Sequence, residues 1–124
     1  MIRYMMTMNE AQDLVKFAFE HGSTGDTFVT NSKAASVRTI VDALMVEYGL
    51  FDTQVVGARS GEKMIECMLS EEEIGYEIDL GPCWKVPFLR VRTEERFPKP
   101  TLMGYKELHR LLKNIGVFDL EVSE

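Results

Sequence analysis

Arg59 and Glu62 are the two side chains whose types and spacing invite chemistry in this 124-residue chain. They lie in Val55-Val56-Gly57-Ala58-Arg59-Ser60-Gly61-Glu62-Lys63-Met64-Ile65-Glu66, which reads as an apolar strand passing through a tight polar turn into a helix. Free backbone N–H groups at a helix start favour an anion. An Arg beside them adds a planar fork that binds two phosphate oxygens at once. An acid three residues later cannot bind phosphate, but it accepts hydrogen bonds from sugar hydroxyls. Together these groups would suit a sugar-nucleotide diphosphate. The same residues more often make a plain exposed turn with an acid placed well for a helix dipole, and local chemistry alone favours that reading.

The totals narrow the choice. A chain of this length supports one domain, residues 1–124, burying about two-thirds of its unfolded surface. With 45% hydrophobic and 27% charged residues it has ordinary globular composition. The net charge of −6 argues against nucleic acid as a partner. The nearest thing to a basic patch, Arg90, Arg92, Arg96 and Lys99, is interrupted by Glu94 and Glu95 and reads as a mixed solvated face. Cys67, Cys83, His21 and His109 lack zinc-ligand spacing, so no metal is expected. No apolar run is long enough to span a membrane, and the first residues lack the pattern of a signal peptide. A cytoplasmic chain is the expectation. Because it opens inside an apolar segment, something is also expected to precede it.

Around the central stretch the pattern predicts amphipathic helices separated by short strands. Residues 1–6 read as a short strand. Thr7-Met8-Asn9-Glu10 reads as a capping box. It opens a helix with a stripe of Ala11, Leu14, Val15 and Ala18, widened by Phe17 and Phe19. His21-Gly22 ends that helix, with Gly22 in a left-handed position. Thr24-Gly25-Asp26 reads as a turn, Thr27–Thr30 as a strand and 31–35 as a loop. Ser36 caps a second helix running to Gly49 along Val37, Ile40, Val41, Leu44, Met45 and Tyr48. Thr53–Val56 reads as a strand, and a third helix turns Met64, Ile65, Met68 and Leu69 inward. Glu71, Glu72 and Glu73 read as a solvated face. Pro87 would confine any strand around Trp84 and Val86 to an edge. A final helix from Thr101 carries Leu108, Leu111, Leu112 and Ile115, ends at Gly116, and is followed by an extended piece at Val117-Phe118. The fold class is α/β to α+β, and the early strand–helix alternation fits parallel β pieces.

Several of these segments resemble one family. Arg3-Tyr4-Met5-Met6-Thr7-Met8-Asn9-Glu10-Ala11 is similar to a Thr-Arg-Phe-x-Met-Thr-x-x-Glu-Ala segment. Gly57-Ala58-Arg59-Ser60-Gly61-Glu62-Lys63, with Glu66, Leu69 and Ser70, resembles Gly-x-Arg-x-Gly-Glu-Lys-x-x-Glu-x-Leu-x-Ser. Gly25-Asp26-Thr27-Phe28-Val29, Asp79-Leu80-Gly81 and Trp84-Lys85-Val86-Pro87 continue the likeness over roughly residues 1–90. The pattern is that of the C-terminal part of CapD-like polysaccharide biosynthesis proteins. These are nucleotide-sugar 4,6-dehydratases and epimerases of the extended short-chain dehydrogenase/reductase class, acting on UDP-N-acetylglucosamine.

The resemblance implies that Arg59 binds the UDP diphosphate, that Glu62 accepts from the ribose, and that Arg3 is a second arginine near the phosphates. Lys63 and Glu66 match the pattern without an implied ligand role. The family's Pro or His after the signature arginine is Ser60 here. The family's Gly-x-x-Gly-x-x-Gly loop and Tyr-x-x-x-Lys pair have no counterpart in the sequence. The chain is therefore expected to hold the UDP-sugar, to lack a complete Rossmann domain and catalytic residues, and to bind no cofactor itself. NAD(P) would belong to the complete enzyme, on a missing or separately encoded domain. Apolar surface left uncovered by that domain would promote self-association. The rival readings are a stand-alone, non-catalytic binding or assembly module and an unrelated interaction domain.

Overall fold

A computed structural model describes residues 1–89, 92 and 99–119. The expectations for Arg90, Val91, Glu94, Glu95 and Arg96 lie outside the described residues. In chain order the elements are β1 (Ile2–Tyr4), α1 (Met8–His21), β2 (Thr27–Thr30), β3 (Ala34–Ser36), α2 (Val37–Tyr48), β4 (Ile78–Asp79), β5 (Cys83–Val86), α3 (Tyr105–Asn114) and a 3-10 turn, Val117–Asp119. This is a small mixed α/β arrangement, as the sequence suggests. No complete Rossmann fold appears among the described residues. Where parallel pieces were expected, every strand pair among the described residues is antiparallel, and parallel pairing there is confined to the bridges Ile2–Ile65 and Ala34–Leu102. Among the described residues no helix is long and apolar enough to cross a membrane.

The residues separate into two compact units, and the first comprises Met1–Met5, Lys33–Glu66 and Thr101–Glu124. Here β1 pairs with β3, Arg3 opposite Ala35. Ser36 caps α2 by accepting from the Thr39 N–H, and Gly49 ends that helix at φ +82°. The buried core is Ala35, Ala43, Met103, Leu108 and Leu112, with Ile40, Leu111, Val117 and Phe118 packed against it. Leu108 is wholly buried, a contribution of about 1.5–3 kcal/mol for such a side chain. The last helix starts at Tyr105 rather than Thr101, capped by the backbone of Gly104. Val117-Phe118 forms a 3-10 turn rather than an extended piece, because both side chains fold back onto the core.

Residues 50–66 carry the largest departure from the expected elements. Neither the strand at Thr53–Val56 nor the helix after Gly61 forms. A strand needs a partner and a face to bury, yet Val55 is 96% exposed and Val56 75%. Gly61 has φ +87°, which stops a right-handed helix, and Met64 and Ile65 stay exposed instead of turning inward.

The second unit comprises Met6–Ser32 and Cys67–Pro100. The capping box forms as read: Glu10 N–H donates to Thr7 Oγ1 at 3.1 Å and Thr7 N–H to Glu10 Oε2 at 2.7 Å. Ala11, Leu14, Phe17 and Ala18 face inward half-buried, while Val15 and Phe19 are exposed. Gly22 is extended (φ −88°), not left-handed. It is required for space, since a Cβ there would meet the Ala18 carbonyl oxygen at 2.5 Å. The sheet order is β2-β5-β4, with Val29, Leu69, Trp84 and Val86 buried. β5 is thus the central strand, not an edge. Pro87 lies just past its end and costs no ladder bond. Glu77 is fully buried and accepts from the Gly75 N–H.

Candidate functional site

Arg59, Ser60, Gly61 and Glu62 form a β-turn. The Glu62 N–H donates to the Arg59 carbonyl at 3.0 Å. Gly61 supplies the positive φ in third place, and Ser60 keeps a negative one, the type II pattern. The Arg59 N–H donates to Glu62 Oε2 at 2.8 Å, so the carboxylate is tied to the backbone of the arginine it would work beside. The expected helix N-terminus is therefore absent. What remains of the anion-binding reading is the Arg59 guanidinium, which is exposed and has no ion-pair partner among the described residues.

The turn borders a cleft of about 580 Å³ within the first unit, a volume in the range of small-molecule sites. Its walls are largely apolar, from Val37 and Val41 of α2 and from Val55, Val56 and Met64. The charged residues lining it are Arg38, Arg59 and Glu62. Arg38 was missed by sequence reasoning. On α2 it reads as an ordinary polar position beside the apolar stripe, and only the fold of 50–66 brings it to the cleft.

Arg3 is placed differently. Its Nη1 donates to the carbonyls of Ile2 at 2.8 Å and Lys63 at 3.0 Å, and it lies 3.8 Å from Glu66. With the Ile2 N–H donating to the Met64 carbonyl at 2.8 Å, it pins the segment after the turn against β1. It is not among the cleft-lining residues. Glu66 answers Arg3, and Lys63 contributes its carbonyl.

His21, His109 and Cys83 have structural explanations. His21 is the last residue of α1 and stacks against Phe17, with ring centroids 4.3 Å apart. His109 lies 2.9 Å from Glu47. Cys83 is buried, and that burial, with the charge of Asp79 beside it, pushes its thiol up and makes it a poor nucleophile. Among the described residues no three His, Cys, Asp or Glu side chains gather as metal ligands.

Comparison with known proteins gives the geometry a context. The model of a family described as polysaccharide biosynthesis protein matches residues 1–87. A UDP-glucose 4-epimerase of Rickettsia felis is 38% identical over 88 residues, and one of Rickettsia typhi 36% over 88. Both alignments cover 70% of this chain, which spans 26% of those relatives' length. The X-ray structure of Pen from Bacillus thuringiensis superposes with a TM-score of 0.76 at 22% identity, over 92% of this chain and 37% of that one, and so shows a shared fold. The matched residues include Arg3 and the whole turn from Arg59 to Glu62, and the chain belongs to the CapD-like polysaccharide biosynthesis family.

Proposed function

We propose that this chain is the UDP-sugar-binding portion of a nucleotide-sugar 4,6-dehydratase or epimerase of surface-polysaccharide synthesis, with UDP-N-acetylglucosamine as its ligand. The observation that carries the reading is the cleft bordered by Arg59 and Glu62, inside the family-matched residues. The Arg59 guanidinium pairs with the diphosphate through parallel N–H···O bonds. Glu62 Oε2 holds the Arg59 backbone while Oε1 accepts from a ribose hydroxyl, so the turn fixes the spacing between phosphate and sugar. Valine side chains cover the apolar faces of the ligand. Arg3 anchors the far end of the loop and adds its charge to the field of the same unit.

The residues present do not fit NAD(P). No Gly-rich loop follows a strand and opens a helix, and the described sheets are antiparallel. No hydride step is assigned to this chain. The cofactor belongs on a separate Rossmann domain, and the exposed Leu50, Phe19, Phe88 and Leu89 are apolar surface for such a domain or for self-association. The setting is cytoplasmic.

Calorimetric titration with UDP and UDP-N-acetylglucosamine tests the reading. Binding is expected, and Arg59→Ala should weaken it roughly ten- to a hundredfold, the loss of a charge-assisted pair. No binding at millimolar ligand, or binding indifferent to Arg59→Ala, would overturn it.

A further inference from the structure

We infer that Arg38 is a second diphosphate-binding arginine of the cleft, so that the site selects a nucleoside diphosphate over a nucleoside by holding its phosphates between Arg38 and Arg59. The inference rests on the nucleotide-binding reading above and adds a residue and a ligand charge to it.

Charge balance comes first. The cleft lining holds two guanidinium groups, Arg38 and Arg59, and one carboxylate, Glu62, while Asp42 answers the Nε edge of Arg38 from outside the lining. The Glu62 carboxylate already accepts from the Arg59 backbone. A single phosphate can engage one of the two forks. Two linked phosphates can engage both, each through nitrogens that the protein leaves toward solvent.

Orientation comes second. Arg38 Nε donates to Asp42 Oδ1 at 3.0 Å, one helical turn along α2. An exposed pair at this spacing adds little stability, but it engages Nε and so turns the terminal nitrogens away from Asp42. Neither terminal nitrogen makes a bond among the described residues, and the side chain is 81% exposed. The platform is also rigid. The Thr39 N–H donates to Ser36 Oγ, the Val37 N–H donates to the Met1 carbonyl at 3.0 Å, and Ile40 packs on the core. Arg38 therefore springs from an anchored backbone, and Arg59 from a turn. Arg3, engaged with two carbonyls and Glu66, leaves this position to Arg38.

The test is calorimetric titration of the 124-residue chain with uridine and with UDP. Arg38→Ala should weaken UDP at least tenfold and leave uridine unchanged. Arg38→Lys should retain part of the affinity as a point charge, and Asp42→Ala should cost a few-fold in UDP alone. Unchanged thermal melts would show that folding is intact. If Arg38→Ala leaves UDP within twofold while Arg59→Ala loses it, the inference falls and the proposed function stands. Equal loss of uridine and UDP also overturns the inference, since Arg38 would then only shape the cleft. If the wild-type chain binds no UDP, both readings fall.

Discussion

In Ser23-Thr24-Gly25-Asp26 the Ser23 N–H donates to the Asp26 carboxylate at 3.0 Å, the Asp26 N–H returns to the Ser23 carbonyl at 3.0 Å, and Gly25 has φ +88°. In Arg59-Ser60-Gly61-Glu62 the same two bonds measure 2.8 and 3.0 Å, and Gly61 has φ +87°. The backbones match, but the surroundings differ. The Asp26 side chain is only 6% exposed, accepts a further bond from the Phe88 N–H at 3.1 Å and lies 3.4 Å from Lys85. Gly25 sits against the Phe88 ring. Glu62 and Arg59 are exposed, and nothing lies within 4 Å of where a Cβ on Gly61 would be. One turn has its polar groups taken up by the fold. The other has the same geometry with an arginine and a carboxylate edge left over, which is what a ligand site requires.

Alanine at the two glycines separates these roles most sharply. At Gly25 a Cβ would meet Phe88 carbons at 2.6–2.9 Å. Backbone strain of about 1–2 kcal/mol then adds to an overpacking cost of about 1–3 kcal/mol. Gly25→Ala should lower stability by about 3 kcal/mol in urea unfolding. Gly61→Ala meets open space and should cost only the strain, about 1–2 kcal/mol, felt in the loop. Equal losses at the two positions would break the comparison.

Acid should separate the two turns as well. The N–H groups of Ser23 and Phe88, together with Lys85, hold the Asp26 carboxyl below its usual value despite some opposing desolvation. A carboxylate with a lowered folded pKa contributes stability that is fully present above its unfolded value, about pH 3.9, and is lost as pH falls through the folded value. Melting temperature followed from pH 6 to pH 2 should therefore drop more steeply in the wild type than in Asp26→Asn. Parallel curves would remove the electrostatic role given to Asp26. At the other turn, Glu62→Gln should leave stability within about 0.5 kcal/mol, as exposed substitutions do. It should instead reduce the preference for UDP over 2′-deoxy-UDP roughly tenfold, the size of a bond to a charged group.

The pair also shows what could be read from the sequence and what could not. Thr7-x-x-Glu10 and Arg59-x-x-Glu62 share the spacing of an acid three residues on, and by that spacing both look like helix starts. Only the first has a hydroxyl to accept the N–H of the acid. With arginine in that place, the Glu62 N–H turns to the Arg59 carbonyl and Gly61 closes a β-turn. The order small residue, glycine, acid is the sign shared with Thr24-Gly25-Asp26, where the β-branched run that follows made the turn legible. Helices α1 and α2 were legible because caps and apolar stripes are local. The tie from Arg3 to the Lys63 carbonyl crosses 60 positions, and the approach of Arg38 to the cleft depends on how 50–66 folds. No local pattern encodes either.

Ser60→Pro is the mildest change and probes whether the open turn is already shaped for its ligand. Ser60 occupies the second place of a type II turn, where proline's fixed φ fits, and its N–H makes no backbone bond among the described residues. The family resemblance also has proline as a usual residue there. Proline should stabilise the loop by about 0.4–1 kcal/mol by restricting the unfolded chain. If the bound and free turns share one shape, the same restriction lowers the ordering cost of binding, and UDP should bind about two- to fivefold tighter, the same 0.4–1 kcal/mol read as affinity. Thr24→Pro, at the matching place in the packed turn, should leave UDP affinity untouched. Weaker binding by Ser60→Pro would mean that the turn must open to receive the nucleotide, and its likeness to Ser23–Asp26 would then not extend to the bound state.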